Sequence, residues 1–538
     1  TEVILNAYAQ WGEECVHRLR GMFAFLIWDA PRQRLFAARD RLGIKPLYWA
    51  EADNGLLLAS ELKAMLCSGL ITPALDFHAL HHFLTFYAVP PPRTMLQGVH
   101  ALLPGHCLTW ERGKVGVRQY WDVPMVENGD LMSAGADAVE IRRELRRLLE
   151  ESIRLRMIAD VPVGAFLSGG VDSSAVVALM TRLSGERLQT FSIGFHAEGQ
   201  RMDERRFAGI VARRYDTEHN EVVISGRDVA AQLPDFVRAM DQPTGDGLNT
   251  YLVSRATARH VKVALSGLGG DELFAGYRQY RYLLQAQRAG RLWKRLPGPG
   301  KVAARAAARQ LARISGRAAL AEAPGWLEAG FLSRYLRTRT LFSEAAKAAL
   351  YRDGVAASQN GIGPSIELLH PFVVESERDT IVRVTRLELK SYLAHMLLRD
   401  TDAMSMAHSL EVRVPLIDHK LVEFATRIPA ALKLGHSPLG ALRGRTKLVL
   451  TDALTDLLPA EIMRRRKQGF YMPVGAWLRG GLQPVVAEAL SRESVQRRGL
   501  FDADAVAGLR SDFEAGRGPY MRVWALLMLE LWQREFLD

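Results

Sequence analysis

Cysteine is scarce in this chain: Cys15, Cys67 and Cys107 are the only three among 538 residues. An odd number at such wide spacings provides neither a disulfide framework nor a zinc knuckle, so the expectation is three plain thiols buried in cores. Long apolar runs are missing too. Uninterrupted runs such as residues 22–28 are far too short to cross a bilayer, and the first residues show no basic-then-apolar secretory pattern. Together these absences point to a cytoplasmic enzyme. No internal repeat is visible, and the one biased segment is rich in Ala and Arg.

What is present is ordinary globular material, 48% hydrophobic and 24% charged, long enough for two or more domains with sizeable cores. The net charge of +11 would suit nucleic acid, but the excess is Arg-rich and partly concentrated in residues 290–317, "GRLWKRLPGPGKVAARAAARQLARISGR". Ala alternates with Arg there at helical spacing, which reads as an exposed helix with a solvated basic face. A nucleic-acid or acidic-partner surface is the competing reading, and no recognition module accompanies it.

Along the chain, "GMFAFLIWD", "RLFAARD", "LLLASELKAML" and "VGVRQYWDVP" are short strand-like or strand-to-helix runs, the mark of a layered α/β domain over residues 1–126. Residues 127–136, polar and glycine-bearing, read as a linker. From residue 137 a charged amphipathic helix leads into apolar runs such as "QTFSIGF" and "HVKVALSG" that alternate with helical segments, the pattern of a doubly wound parallel sheet. The last 150 or so residues look largely helical.

The chemistry is concentrated in "LSGGVDSSAVVALM", residues 167–180. A strand, a Gly-rich turn and a helix start bring backbone N–H groups and a helix dipole to one small volume, which suits a phosphate. The turn lacks the Lys of the G-x-x-x-x-G-K-[ST] loop. Instead it carries Asp172 and the hydroxyls of Ser168, Ser173 and Ser174. A carboxylate beside phosphates repels them unless a metal intervenes, so Asp172 implies Mg²⁺. A plain helix cap is the alternative. A second strand-to-turn element, "VALSGLGGDELFAGYRQY" at residues 263–280, offers Ser266, Gly267, Asp271 and Glu272. Two such loops can face each other across the carboxyl edge of a parallel sheet, giving a metal two carboxylates.

These motifs resemble the glutamine-hydrolysing asparagine synthetases, a class II glutamine amidotransferase fused to an ATP-pyrophosphatase domain (residues 137–538). The resemblance implies an α/β fold: the later part of an N-terminal-nucleophile α/β/β/α domain, then the parallel-sheet domain with a helical carboxyl-terminal region. It implies that Ser168, Gly169, Gly170, Asp172, Ser173 and Ser174 hold the pyrophosphate of ATP, and that Asp172 and Asp271 hold Mg²⁺. Phe166, Leu167 and Ile193 would line the adenosine pocket, with Ser266 and Gly267 closing it. Residues 397–418, "LLRDTDAMSMAHSLEVRVPLID", are similar to a further family signature and would place Asp402, Ser405, Glu411 and Arg413 near the acceptor. Residues 464–477, "RRRKQGFYMPVGAW", would supply Lys467 to stabilise charge as pyrophosphate leaves. Lys467 and Glu411 are thus the catalytic candidates. A surface lysine and an ion-pair partner of a nearby arginine are the respective alternatives.

The implied reaction is amidation of a carboxylate, aspartate first, through an acyl-adenylate with release of pyrophosphate and AMP, the nitrogen coming from glutamine. Two departures stand out. The family's N-terminal Cys nucleophile and glutamine-binding residues precede Thr1, and an internal Cys15 cannot replace a nucleophile whose own α-amino group is the base. The chain therefore reads as a fragment that does not hydrolyse glutamine. Leu268 occupies a position commonly Glu in bacterial members, which opens the acceptor to a sugar, peptide or envelope-pathway carboxylate, or to a β-lactam-forming chemistry. Expected partners are small molecules (ATP, the carboxylate, glutamine or ammonia), with a homodimer as a compatible assembly and neither nucleic acid nor membrane.

Overall fold

The computed structural model describes residues 1–538 apart from 54, 136, 197–203, 316–318, 354, 356–360, 375, 378, 436–443, 466–468, 470 and 471. Seven strands come first: β1 (Ala24–Asp29), β2 (Arg34–Arg39), β3 (Tyr48–Ala52), β4 (Gly55–Ala59), β5 (His100–Ala101), β6 (His106–Glu111) and β7 (Lys114–Gln119). They form two antiparallel sheets, one of order β1-β2-β6-β7 and one of order β4-β3-β5. In β1 the alternation is clean, with Phe25 and Ile27 buried and Leu26 and Trp28 exposed, as a sheet with one covered face requires. The loop after β2 is organised by buried Asp40, whose carboxylate accepts from the N–H groups of Leu42 (3.2 Å), Ile44 (2.9 Å) and Lys45 (2.9 Å).

The second region is built on five parallel strands: β8 (Val163–Phe166), β9 (Gln189–Phe195), β10 (Glu218–Ile224), β11 (Val263–Leu265) and β12 (Glu411–Arg413), in the order β10-β9-β8-β11-β12. Helix Ala138–Met157 leads into it. Its buried Ile141, Leu145, Leu148, Leu149, Ser152 and Ile153 recur at helical spacing and pack on helix Val171–Leu183, whose residues 173–180 are all buried. Strand order reverses between β8 and β11, so a crevice opens beyond their carboxyl ends. Helices Thr380–Glu388 and Leu398–Met406 flank a π-helical stretch, Leu389–Leu397, and deliver the chain to edge strand β12. The two regions are pinned together by charge: fully buried Asp418 pairs with Arg20 (3.0 Å) and Arg156 (2.7 Å), and Lys390 pairs with Asp122 (2.6 Å).

Two sequence expectations are corrected. Cys15 and Cys107 are buried, but Cys67 is exposed. It ends helix Leu62–Cys67, whose inward face is set by Leu62 and Met65, and falls on the opposite side. Residues 290–315 are not one helix either, and 316 and 317 lie outside the described residues. Pro297, without an N–H and disfavouring helical backbone at Leu296, separates helix Arg278–Arg295 from helix Gly298–Ser315. Among the described residues no helix is long and apolar enough to cross a membrane.

Candidate functional site

The two Gly-rich loops meet at the crevice. Residues 168–170 follow β8 and open helix Val171–Leu183; residues 266–270 follow β11 and open the short helix Gly270–Leu273. Glycine is required in each loop, where backbone packs on backbone. A Cβ on Gly267 would stand 2.6 Å from the Ser173 nitrogen, and one on Gly169, whose φ is +70°, would stand 2.5 Å from the Ala208 nitrogen. The first loop is laced internally: Ser173 Oγ accepts from the Ser168 N–H (3.2 Å) and lies 3.1 Å from Ser168 Oγ, which accepts from the Gly170 N–H (3.3 Å). Ser174 is fully buried on the inner side of its helix.

Asp172 and Asp271 converge on one cation that sequence reasoning did not single out. Lys447 Nζ donates to Asp172 Oδ2 and lies 2.6 Å from Asp271 Oδ1. Its side chain is 4% exposed, and those of the two aspartates 14% and 15%. Burial opposes the ammonium's charge, yet the fields of the two carboxylates and their hydrogen bonds outweigh it, and the Lys447 pKa is raised. The lysine caps helix Leu448–Ala453 in a left-handed conformation, φ +56°. Gly276 completes the fit, because a Cβ there would fall on Asp271 and on the Lys447 stem. The segment before Lys447 is tied down by Arg281, which donates to the carbonyls of Gly435 (3.0 Å) and Arg445 (2.5 Å).

These residues fit a divalent cation. Two carboxylates meet at a position now filled by a positive charge, and hard oxygen donors of that kind suit Mg²⁺ shared with phosphates. Among the described residues no group of three or more His, Cys, Asp or Glu is arranged to hold a metal.

Next to the pair, Glu272 is buried and accepts from Tyr277 OH at 2.5 Å; burial, then the Asp271 charge, push its pKa up to about 7. Of the residues expected to line a pocket, Leu167 donates its N–H to the Phe191 carbonyl at 2.8 Å, Leu167 and Ile193 are buried, and Phe166 is half-buried. Ser266 donates to the Arg413 carbonyl at 2.8 Å and its hydroxyl accepts from the Leu268 N–H at 3.3 Å. Leu268 packs on the apolar cluster around Leu416 and Ile417.

The carboxyl-terminal motif divides. Asp402 pairs with Lys45 of the first region at 2.6 Å, and Ser405 Oγ donates to the Asp402 carbonyl at 3.2 Å. Asp246 is half-buried, and desolvation followed by the charge of Asp400 push its pKa up to about 6. Glu411 accepts from Arg413 Nε at 2.8 Å, and Arg413 also donates to the carbonyls of Arg156 and Ile158, both at 2.7 Å, on the segment that enters the amino end of β8. Burial opposes the Glu411 charge, but Arg413 holds its pKa below the usual range. The structure therefore places Glu411 in an ion pair with Arg413. Lys467 lies outside the described residues. Arg465, two positions earlier, donates to the Gly169 carbonyl at 3.0 Å and pairs with Glu204, so that stretch reaches the first loop.

Gly-rich loops at the switch point of a parallel sheet place the chain among the α/β proteins that bind a ligand beyond the carboxyl ends of their strands. A family model described as asparagine synthase matches residues 144–534, and one described as a glutamine amidotransferase domain matches residues 1–121. A Mycobacterium bovis relative, itself assigned to the glutamine-hydrolysing asparagine synthetases, is 34% identical across 100% of this chain and 80% of its own length. Asparagine synthetase (glutamine-hydrolysing) 1 of Bacillus subtilis is 30% identical over 99% and 80% of the two chains, and amidase chyE of Penicillium rubens 29% over 94% and 77%. The chain belongs to the asparagine synthase family, and so to the carbon–nitrogen ligases that use ATP and take amide nitrogen from glutamine.

Proposed function

We propose that this chain, in the cytoplasm, converts aspartate to asparagine through an acyl-adenylate, with residues 137–538 as the synthetase unit joined through 127–136 to the amidotransferase unit. The observation that carries the reading is the convergence of Asp172, Asp271 and Lys447 beneath the Ser168–Gly170 and Ser266–Gly267 loops. Phe166, Leu167 and Ile193 would receive the adenosine, and the N–H groups and hydroxyls of residues 168–174 the phosphates. Asp172 and Asp271 would hold Mg²⁺, which when bound neutralises phosphate charge and orients the leaving group. Lys447 then turns from the carboxylates towards the phosphates and meets the charge that develops as a carboxylate oxygen attacks the α-phosphorus and pyrophosphate departs. Ammonia attacks the activated carbonyl, loses a proton, and AMP leaves. Lys467, from the stretch that Arg465 anchors, would add a second cation there. The assembly is proposed as a homodimer.

Incubating the protein with ATP, Mg²⁺, ammonium and aspartate should yield AMP, pyrophosphate and asparagine in equal amounts. ADP and phosphate as products, or no nucleotide cleavage with any carboxylate, would overturn the proposal. A second reading, amidation of a different carboxylate by the same steps, is favoured by Leu268, an apolar residue whose N–H donates to the Ser266 hydroxyl in the second Gly-rich loop. AMP formation with peptide or sugar carboxylates but not with aspartate would decide for it.

A further inference from the structure

From residue 273 to residue 321 the sequence has eleven lysines and arginines and no aspartate or glutamate, so this stretch equals the chain's whole formal excess of +11 and the remainder is formally neutral. It folds into an arm of helices. Helix Gly298–Ser315 packs on Ala319–Glu328, and that helix packs on Arg278–Arg295 through Tyr282 against Trp326 (ring centroids 4.3 Å) and a hydrogen bond from Trp293 Nε1 to Glu328 (3.0 Å).

The outer helix is divided into three stripes by its i, i+4 spacing. Ala304, Ala308 and Ala312 are the least exposed and face inward. Arg305, Arg309 and Arg313 form a basic stripe, in which Arg305 pairs with Glu328 (2.5 Å). Ala303, Ala307, Leu311 and Ile314 form an apolar stripe directed to the outside. Leu311 is 57% exposed and Ile314 74%; at the end of the neighbouring helix Leu292 is 65% exposed. Among the described residues, Arg291, Lys294, Arg295, Arg309 and Arg313 are exposed with no acidic partner within ion-pair distance.

Large aliphatic side chains standing in water beside unpaired cations, with no anion in the stretch, match an interfacial helix: the apolar stripe enters the boundary between headgroups and acyl chains while the cations stay at the phosphates. A nucleic acid would neutralise the arginines but leave Leu292, Leu311 and Ile314 in water. A second copy of this face would bring like charge against like. We propose that the arm docks the enzyme on an anionic lipid bilayer surface, a partner that the lack of a long apolar run in the sequence does not address.

The test is co-sedimentation of the full chain with vesicles of phosphatidylglycerol and phosphatidylcholine in equal parts, against vesicles of phosphatidylcholine alone, in about 0.1 M salt. Binding to the anionic vesicles only is expected. Replacing four exposed cations (Lys294→Gln, Arg295→Gln, Arg309→Gln, Arg313→Gln) should weaken it by at least about 100-fold. Leu311→Ser with Ile314→Ser should weaken it by about tenfold or more while leaving the charge intact. All the substituted residues are exposed, and unchanged melting would show that the fold survives. No binding to anionic vesicles, an apolar variant that binds as well as wild type, or a short DNA duplex held more tightly than the vesicles would each overturn the proposal.

Discussion

Replacing Lys447 with Met removes one ammonium from between two carboxylates and leaves the stem volume nearly unchanged. In the metal-free protein Asp172 and Asp271 then face each other in a cleft where their side chains are only 14% and 15% exposed. Removing one partner from a buried ion pair costs about 3–5 kcal/mol, and partial solvent access argues for the lower end, about 3 kcal/mol. With an unfolding entropy of about 2.1 cal/mol/K per residue and a cooperative unit of about 400 residues, that corresponds to a Tm lower by about 4 °C in EDTA. Mg²⁺ should restore much of the loss, because a divalent cation fills the place of the ammonium, and it should raise the Tm of the variant more than that of wild type. Calorimetric melts of both proteins in EDTA and in Mg²⁺ provide the readout, with AMP formation reduced by about 10² or more in the variant. If Lys447→Met melts with wild type in EDTA, and Mg²⁺ moves both alike, the convergence of the two aspartates on this lysine does not exist in solution.

Three further tests bear on the same crevice. Asp172→Asn and Asp271→Asn should each cut pyrophosphate formation by about 10² or more, and together cost far less than the two losses added, because residues serving one metal act as a unit; additive losses would show separate roles. Gly267→Ala must displace the Ser173 backbone from 2.6 Å and should cost about 1–3 kcal/mol and weaken ATP binding by titration calorimetry, whereas Gly298→Ala, with open space around it, should do neither. Burial raises the Glu272 pKa from 4.5 to about 7, so its contribution is full below pH 4.5 and is lost as pH rises through 7, by about 3 kcal/mol. Glu272→Gln keeps an acceptor for Tyr277, so its Tm should gain on wild type between about pH 5 and pH 8; parallel pH curves would exclude a titrating Glu272.

The phosphate loops were legible because their signal is local: an apolar strand, glycines where backbone crowds backbone, and an acid at a helix start, all within about ten residues. Asp172 and Asp271 were both found this way, and the sheet order then brought them together. Lys447 carried no such signal. It is one cation in "RGRTK", 275 residues from Asp172, and only the tertiary fold reveals what it faces. Glu411 shows the converse: the motif around it was recognisable, but the direction of its side chain is decided by Arg413 and the carbonyls near the start of β8. Cys67 was misread because a six-residue helix has too few positions to show which side is covered.

The 275 residues between Asp172 and Lys447 also order events on the ribosome. Both acidic loops leave the exit tunnel long before the lysine that joins them, and a growing chain cannot close so distant a contact early. Until then the crevice presents two carboxylates without their internal cation. The cluster is thus completed only in molecules in which the segment carrying Lys447 has been made and docked.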